Sequence, residues 1–141
     1  MRPSHIQPPD VDETPLVGES PREAAKRLAH LKALEIQKSH PDACILAADT
    51  VVAVGQRILG KADDEAHARR YLALLSGRSH RVIGGLCVLA PDGREVLKAV
   101  TTAVTFKRLT EGEVNAYIAS DEWRDKAGAY AIQGCAGAFV K

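Results

Sequence analysis

A chain of 141 residues with 45% hydrophobic content is long enough to bury a core and short enough to form one domain. Lys+Arg 19 against Asp+Glu 18 leaves a net charge of +1, so no global field favours nucleic acid or an anionic membrane surface. Phe 2, Tyr 3 and Trp 1 are too few for the stacking platforms that bind single-stranded nucleic acid. No apolar run approaches the ~18 residues that span a bilayer, and the polar, proline-rich N-terminus is unlike a signal peptide. Cys44, Cys87 and Cys135 are odd in number, far apart and set in apolar sequence. They read as reduced core thiols, and the chain as a soluble cytoplasmic protein.

The segment 1–18, with Pro3, Pro8, Pro9 and Pro15, predicts extended or loop-like backbone. Ser20-Pro21-Arg22-Glu23 is a capping box with proline at the first helical position, and Ala24, Leu28, Leu31 and Leu34 continue at helical spacing to about Ser39. The run Cys44–Val54 predicts a strand buried on both faces, which Gly55-Gln56 turns into a short return strand at Arg57–Leu59. Asp63 or Asp64 caps a second helix through about Leu75, and Ser76-Gly77 stops it. Ser79–Leu89 and Glu95–Phe106 predict a hairpin around Pro91-Asp92-Gly93-Arg94. Thr110-Glu111-Gly112-Glu113 is a second capping box, opening a short helix to about Ala119. Lys126–Gly134 reads as a loop leading into a strand within an apolar, glycine-rich tail.

Asp49 is the most informative residue, because it sets a carboxylate in an otherwise apolar, β-branched run. Burying it requires a cation, a metal or several donors, or else raises its pKa; the bland alternative is an exposed strand end where it caps a turn. Glu19, just before a helix start, is either a dipole-favoured cap or a cation ligand. Lys32 lies among Leu28, Leu31 and Ala33, where a snorkelling surface lysine is the ordinary reading. Gly60-Lys61 stands between a strand and a helix, a setting in which backbone donors and an ammonium can meet phosphate. Gln133 can read a planar base edge through its amide or pair with a neighbouring strand.

Taken in order, Asp10-Val11-Asp12-Glu13, Glu19-Ser20-Pro21, Arg27-Leu28-Ala29 with Lys32-Ala33, Ala48-Asp49-Thr50-Val51-Val52, Gly60-Lys61, Leu75-Ser76-Gly77 with His80, and Lys126–Gly134 closely resemble the Maf family of nucleoside triphosphate pyrophosphatases. The resemblance covers nearly the whole chain. It implies an elongated α/β fold with a mixed sheet flanked by helices, related to the inosine triphosphate pyrophosphatases. It also implies hydrolysis of a nucleoside triphosphate to the monophosphate and pyrophosphate with Mg²⁺ or Mn²⁺. By position, Asp49 matches the family's proton acceptor, and Glu19 with Asp49 would hold the metal. Lys32 and Lys61 would neutralise the triphosphate, Thr50 and Gln133 match base-selecting positions, and Lys126 belongs to the same substrate-binding motif. Ile132-Gln133-Gly134 resembles the subgroup acting on dTTP and UTP, and Ser76, Gly77 and His80 read as structural. A homodimer is the oligomer the resemblance allows, with no nucleic-acid or membrane partner.

The family's Ser-x-Ser-Pro-Arg-Arg strand and loop, which supplies phosphate-binding groups, has no counterpart here, and neither do its C-terminal elements. Ala62 stands where proline usually follows Gly-Lys, and Gly84 where threonine usually precedes glycine. The expectation is one Maf-like domain over residues 1–141, truncated at both ends. A second reading is an impaired relative that binds nucleotide or acts through protein contacts in septum and division control. A third is a fragment that owes its order to dimerisation.

Overall fold

The computed structural model describes residues 2–141 as an α/β chain. Its elements are α1 (Pro21–Ser39), β1 (Ile45–Val54), β2 (Arg57–Leu59), α2 (Glu65–Leu75), β3 (Ser79–Leu89), β4 (Glu95–Thr105), α3 (Glu111–Ala119) and a 3₁₀ helix at Cys135–Phe139. The strands are hydrogen-bonded in the order β2-β1-β3-β4, and β1 pairs antiparallel with β2 through Val52 with Leu59 and Val54 with Arg57.

Local chemistry sets the helix starts. Ser20 Oγ accepts the Glu23 N–H at 3.2 Å while Glu23 Oε2 accepts the Ser20 N–H at 3.1 Å, and Thr110 and Glu113 repeat the arrangement at α3. Of the two candidate caps for α2, Asp64 is the one used, its carboxylate taking the His67 N–H at 2.7 Å. Such caps satisfy amides that the first turn leaves unpaired, each worth about 1 kcal/mol. Helix α2 ends at Leu75 with Ser76 as its C-cap, after which Gly77 adopts φ +67° and donates its N–H to the Lys107 carbonyl.

The described residues pack as two compact units, residues 2–49 with 84–100 and residues 50–83 with 101–141. In the first unit, Ala29 and Ala33 of α1 pack with Ile45, Cys87 and Leu89. The buried side of α1 is made of Ala24, Ala25, Leu28, Ala29 and Ala33, whereas Leu31 and Leu34 are each 37% exposed. Small side chains let strand and helix come close: a Cβ on Gly85 would lie 2.1 Å from the Ala25 carbonyl oxygen. The buried face of α1 is therefore mostly alanine, with Leu28 beside it, set against a glycine.

The second unit is centred on Val52, Leu59, Leu72, Leu75, Phe106 and Trp123, and every Phe, Tyr and Trp of the chain lies in its core. Gly128, at φ +68°, donates its N–H to the carbonyls of Leu59 and Gly60, and a Cβ there would meet Val52 at 2.8 Å. His80 is 3% exposed, and its Nε2 lies 2.5 Å from the Tyr130 hydroxyl; its Nδ1 has no hydrogen-bond partner among the described residues. Burial holds the imidazole below its ordinary pKa of 6.5 and pushes the Tyr130 hydroxyl up to about 12, so both groups are neutral at pH 7. Because the unfolded chain binds the His80 proton more readily, this burial contributes no penalty above pH 6.5 and destabilises the fold as pH falls through that value. Thermal melts between pH 8 and pH 5.5 are expected to show that decline in the native chain and a shallower one in His80→Gln. Parallel profiles would remove His80 as the cause.

Three expectations are corrected by the structure. Strand β1 is buried on both faces only at Val51–Ala53, since Leu46 is 68% exposed and Thr50 is exposed, so the strand alternates before it enters the core. Only Cys87 is a core thiol; Cys44 precedes β1 and Cys135 opens the 3₁₀ helix, and both are exposed. The segment after Gly134 forms that 3₁₀ helix instead of a strand, followed by an isolated bridge between Val140 and Phe106. Alanine and glycine there lack the branched side chains that favour extended pairing. Among the described residues no helix is long and apolar enough to cross a membrane.

Candidate active site

The first unit gathers charges around α1. Proline spacing keeps Asp10–Glu19 out of regular structure, and two contacts shape it: Thr14 N–H donates to Asp12 Oδ1 at 2.9 Å, and Arg27 Nη2 donates to the Thr14 carbonyl at 3.2 Å. Arg27 also grips Glu19, with Nε to Oε2 at 2.6 Å and Nη2 to Oε1 at 2.9 Å. This hydrogen-bonded guanidinium outweighs burial and holds the Glu19 carboxyl below the usual carboxylate range.

One turn along α1 and more, Lys32 meets two carboxylates. Its Nζ lies 2.5 Å from Asp49 Oδ1 and 2.9 Å from Glu13 Oε1. The Asp49 side chain is 8% exposed and that of Lys32 17%, so the lysine is a half-sheltered ion-pair partner and not a snorkelling surface residue. Burial works against the ammonium, but the hydrogen bonds of Asp49 and Glu13 together prevail and raise the Lys32 pKa above its ordinary value. Lys32 therefore stays charged beside Asp49. A sheltered carboxylate beside a fixed ammonium can take a proton from a water placed against it, with little competition from bulk solvent.

Glu19, which the resemblance implies as a metal ligand with Asp49, gives both oxygens to Arg27. Glu13 is the second carboxylate at Lys32, beside Asp49. Neither Glu13 nor Arg27 stood out as a site residue in the sequence, although both lie in the motifs named above. The only signal was a carboxylate in a proline-rich stretch, and its partner comes from a helix nineteen residues later in a different element. Among the described residues no group of three or more His, Cys, Asp or Glu side chains is placed to hold a metal ion. The donor set that does converge, Glu13 and Asp49 on one cation, offers hard carboxylate oxygens. It fits an ion such as Mg²⁺, which is ordinarily held by one or two carboxylates together with water and substrate phosphate.

The second unit holds the other residues singled out from the sequence. Thr50 is exposed on β1. Lys61 forms an isolated bridge with Ala127, and its Nζ lies 3.9 Å from Asp125 Oδ1. Lys126 and Gln133 line an open cleft of about 510 Å³ together with Asp121, Glu122, Arg124 and Gly134. The loop bearing Lys126 is pinned from several sides: Gly128 to Leu59 and Gly60, the Tyr117 hydroxyl donating to the Ala129 carbonyl at 3.0 Å, and Tyr130 to His80. Asp121, Asp125 and Ala129 all have positive φ, between 57° and 64°. Positive φ is costly for residues with a Cβ and clusters where structure over-determines a site.

The model of the Maf family, described as "Maf-like protein", matches residues 1–141. A dTTP/UTP pyrophosphatase of Paramagnetospirillum magneticum is 60% identical over 141 residues, which is 100% of this chain and 74% of that protein. A dTTP/UTP pyrophosphatase of Rhodospirillum rubrum is 52% identical over 139 residues, covering 99% of this chain and 66% of its own length. The chain thus spans about two thirds to three quarters of the curated relatives it matches. Among solved structures, a nucleoside-triphosphatase / dITP/XTP pyrophosphatase from Mycobacterium abscessus aligns with TM-score 0.44 and 24% identity, over 72% of this chain and 57% of that one. With the family match running from the first residue to the last, and the family's charged motifs folded around Asp49 and Lys32, the chain belongs to the Maf family.

Proposed function

We propose that this chain hydrolyses dTTP and UTP to the nucleoside monophosphate and pyrophosphate. The observation that supports this reading most is the convergence of Glu13 and Asp49 on Lys32, a sheltered carboxylate base beside a lasting positive charge. Asp49 accepts a proton from the water that attacks the α-phosphorus; the bond from that phosphorus to the α,β-bridging oxygen breaks, and pyrophosphate leaves with the bonding electrons. Lys32 and Lys61 offset the charge gathering on the phosphate oxygens. Lys126 binds the substrate, and Thr50 and Gln133 select the base. The names of the relatives, dTTP/UTP pyrophosphatases, support the same substrates.

A divalent cation, Mg²⁺ or Mn²⁺, belongs to this proposal, held by Glu13 and Asp49, where it would neutralise phosphate charge. Glu19, the other candidate ligand beside Asp49, fixes Arg27 and through it the Thr14 carbonyl and the segment that presents Glu13. The two glutamates are expected to separate by experiment. Glu13→Gln should raise the Mn²⁺ concentration needed for half-maximal activity at least tenfold with little change in melting temperature. Glu19→Gln should cost about 2 kcal/mol of stability, the scale of hydrogen bonds to a charged group, and leave the metal requirement near that of the native chain. A metal titration of both variants decides it, and the reverse pattern would return the metal to Glu19.

The direct test is pyrophosphate release from each nucleoside triphosphate with Mg²⁺ or Mn²⁺, repeated with a chelator. Release that prefers dTTP and UTP and stops with the chelator supports the proposal. A well-folded chain that releases none overturns it.

A further inference from the structure

Gln133, proposed above as a base-selecting residue, must be held in one conformation to read an edge. Gln133 and Gly134 are exposed and lie in no helix or strand, so their conformation needs an outside constraint. Glu122 supplies one. Its Oε2 accepts the Cys135 N–H at 2.8 Å and its Oε1 accepts the Cys135 Sγ–H at 3.3 Å. Between these residues stands Gly134, where a Cβ would come within 2.3 Å of Glu122 Oε2. From the other side, the Gly134 N–H donates to the Ala131 carbonyl at 3.1 Å. Glu122 is itself well anchored: its N–H meets Ser120 Oγ at 3.3 Å, and the next residue, Trp123, is 1% exposed with its Nε1–H on the Ile118 carbonyl. A carboxylate fixed to the core thus reaches over to seize the backbone just past Gln133, in the cleft that Gln133 and Lys126 line.

We infer that Glu122 is a positioning residue for base selection, holding the Ala131–Cys135 turn so that the Gln133 amide projects in one direction. This rests on the reading of Gln133 given above. An amide offers one acceptor and two donors and discriminates between base edges only when its origin is fixed. The same contact holds the Cys135 thiol protonated, above its ordinary pKa.

The test uses the full chain and the variants Glu122→Ala, Glu122→Asp and Glu122→Gln. Asp keeps the charge but draws the carboxylate back by one methylene, whereas Gln keeps the reach and one acceptor. In Glu122→Ala and Glu122→Asp, KM for dTTP and UTP should rise roughly tenfold with kcat little changed, the scale of one lost hydrogen-bonded constraint. Purine triphosphates should be turned over as before, so the preference narrows; Glu122→Gln should retain most of it. Hydrogen exchange of the Cys135 amide gives a readout independent of turnover: slow in the native chain and in Glu122→Gln, fast in the other two. If the alanine variant does not fold, the Asp and Gln pair decides alone. Native preference in Glu122→Asp, or rapid Cys135 exchange in the native chain, overturns the role of Glu122 while leaving the pyrophosphatase reading intact. A native chain that neither hydrolyses dTTP nor binds its non-hydrolysable α,β-imido analogue overturns the reading of Gln133 and this inference with it.

Discussion

Asp49→Asn is expected to lower pyrophosphate release from dTTP by about 10²- to 10⁴-fold, the span that one general base contributes. Asparagine keeps the shape of the side chain and an oxygen that can accept from Lys32 Nζ, now 2.5 Å from the Asp49 carboxylate, but it takes up no proton at neutral pH. The variant should still fold, because Lys32 keeps its second partner, Glu13, at 2.9 Å. Its loss of stability should be about 1–3 kcal/mol, the cost of weakening a sheltered charged hydrogen bond. The measurement is therefore paired: initial rates over a range of dTTP, and a melting temperature for the same preparation. A folded Asp49→Asn with near-native kcat would assign the base to another group, and Glu13 would be the first to test. The opposite change, Lys32→Met, removes the charge that both carboxylates share, so it should damage stability more than Asp49→Asn does.

The second large effect is structural. Gly85→Ala should cost about 3 kcal/mol or more, at the upper end for overpacking, and lower the melting temperature by roughly 10 °C for a chain of this size. The added Cβ would stand 2.1 Å from the Ala25 carbonyl oxygen and 2.5 Å from its carbon. Those are backbone atoms in the second turn of α1, so no side chain can swing away, and relief requires moving the helix. Since α1 also bears Arg27 and Lys32, the shift should disturb the contacts of Lys32 with Glu13 and Asp49, and pyrophosphate release should fall along with stability. The neighbouring Gly84 is a built-in control, because a Cβ there meets nothing within 4 Å. Gly84→Ala should be neutral or slightly stabilising, as a residue less free in the unfolded chain. Melting curves of the two variants side by side check both; equal melting temperatures would refute the close approach of α1 to β3.

Why the elements were legible and the site only partly so follows from the range of the forces involved. Both capping boxes, the Gly77 stop and the 91–94 turn are written within four or five adjacent residues, and the corresponding elements begin and end within a residue or two of where those signals put them. Where local preference was weak, tertiary packing took over. Leu31 and Leu34 have helical spacing but face outward, because Gly85 selects the alanine side of α1 for contact. The exposed Leu46 and the thiols of Cys44 and Cys135 are likewise apolar or small residues whose burial no local pattern decides.

By itself the sequence determined the helices, most of the strands and the presence in β1 of a carboxylate that must be compensated. A charge in an apolar run is costly wherever the chain goes. Tertiary structure alone decided what compensates it. Lys32 turned from an ordinary helix lysine into the partner of Asp49 and Glu13, Glu19 was committed to Arg27, and Glu122 came to rest on the backbone beside Gln133. Ion pairs and side-chain hydrogen bonds depend on distances of a few ångströms between residues far apart in the chain. Periodicity and capping reach only from one turn to the next.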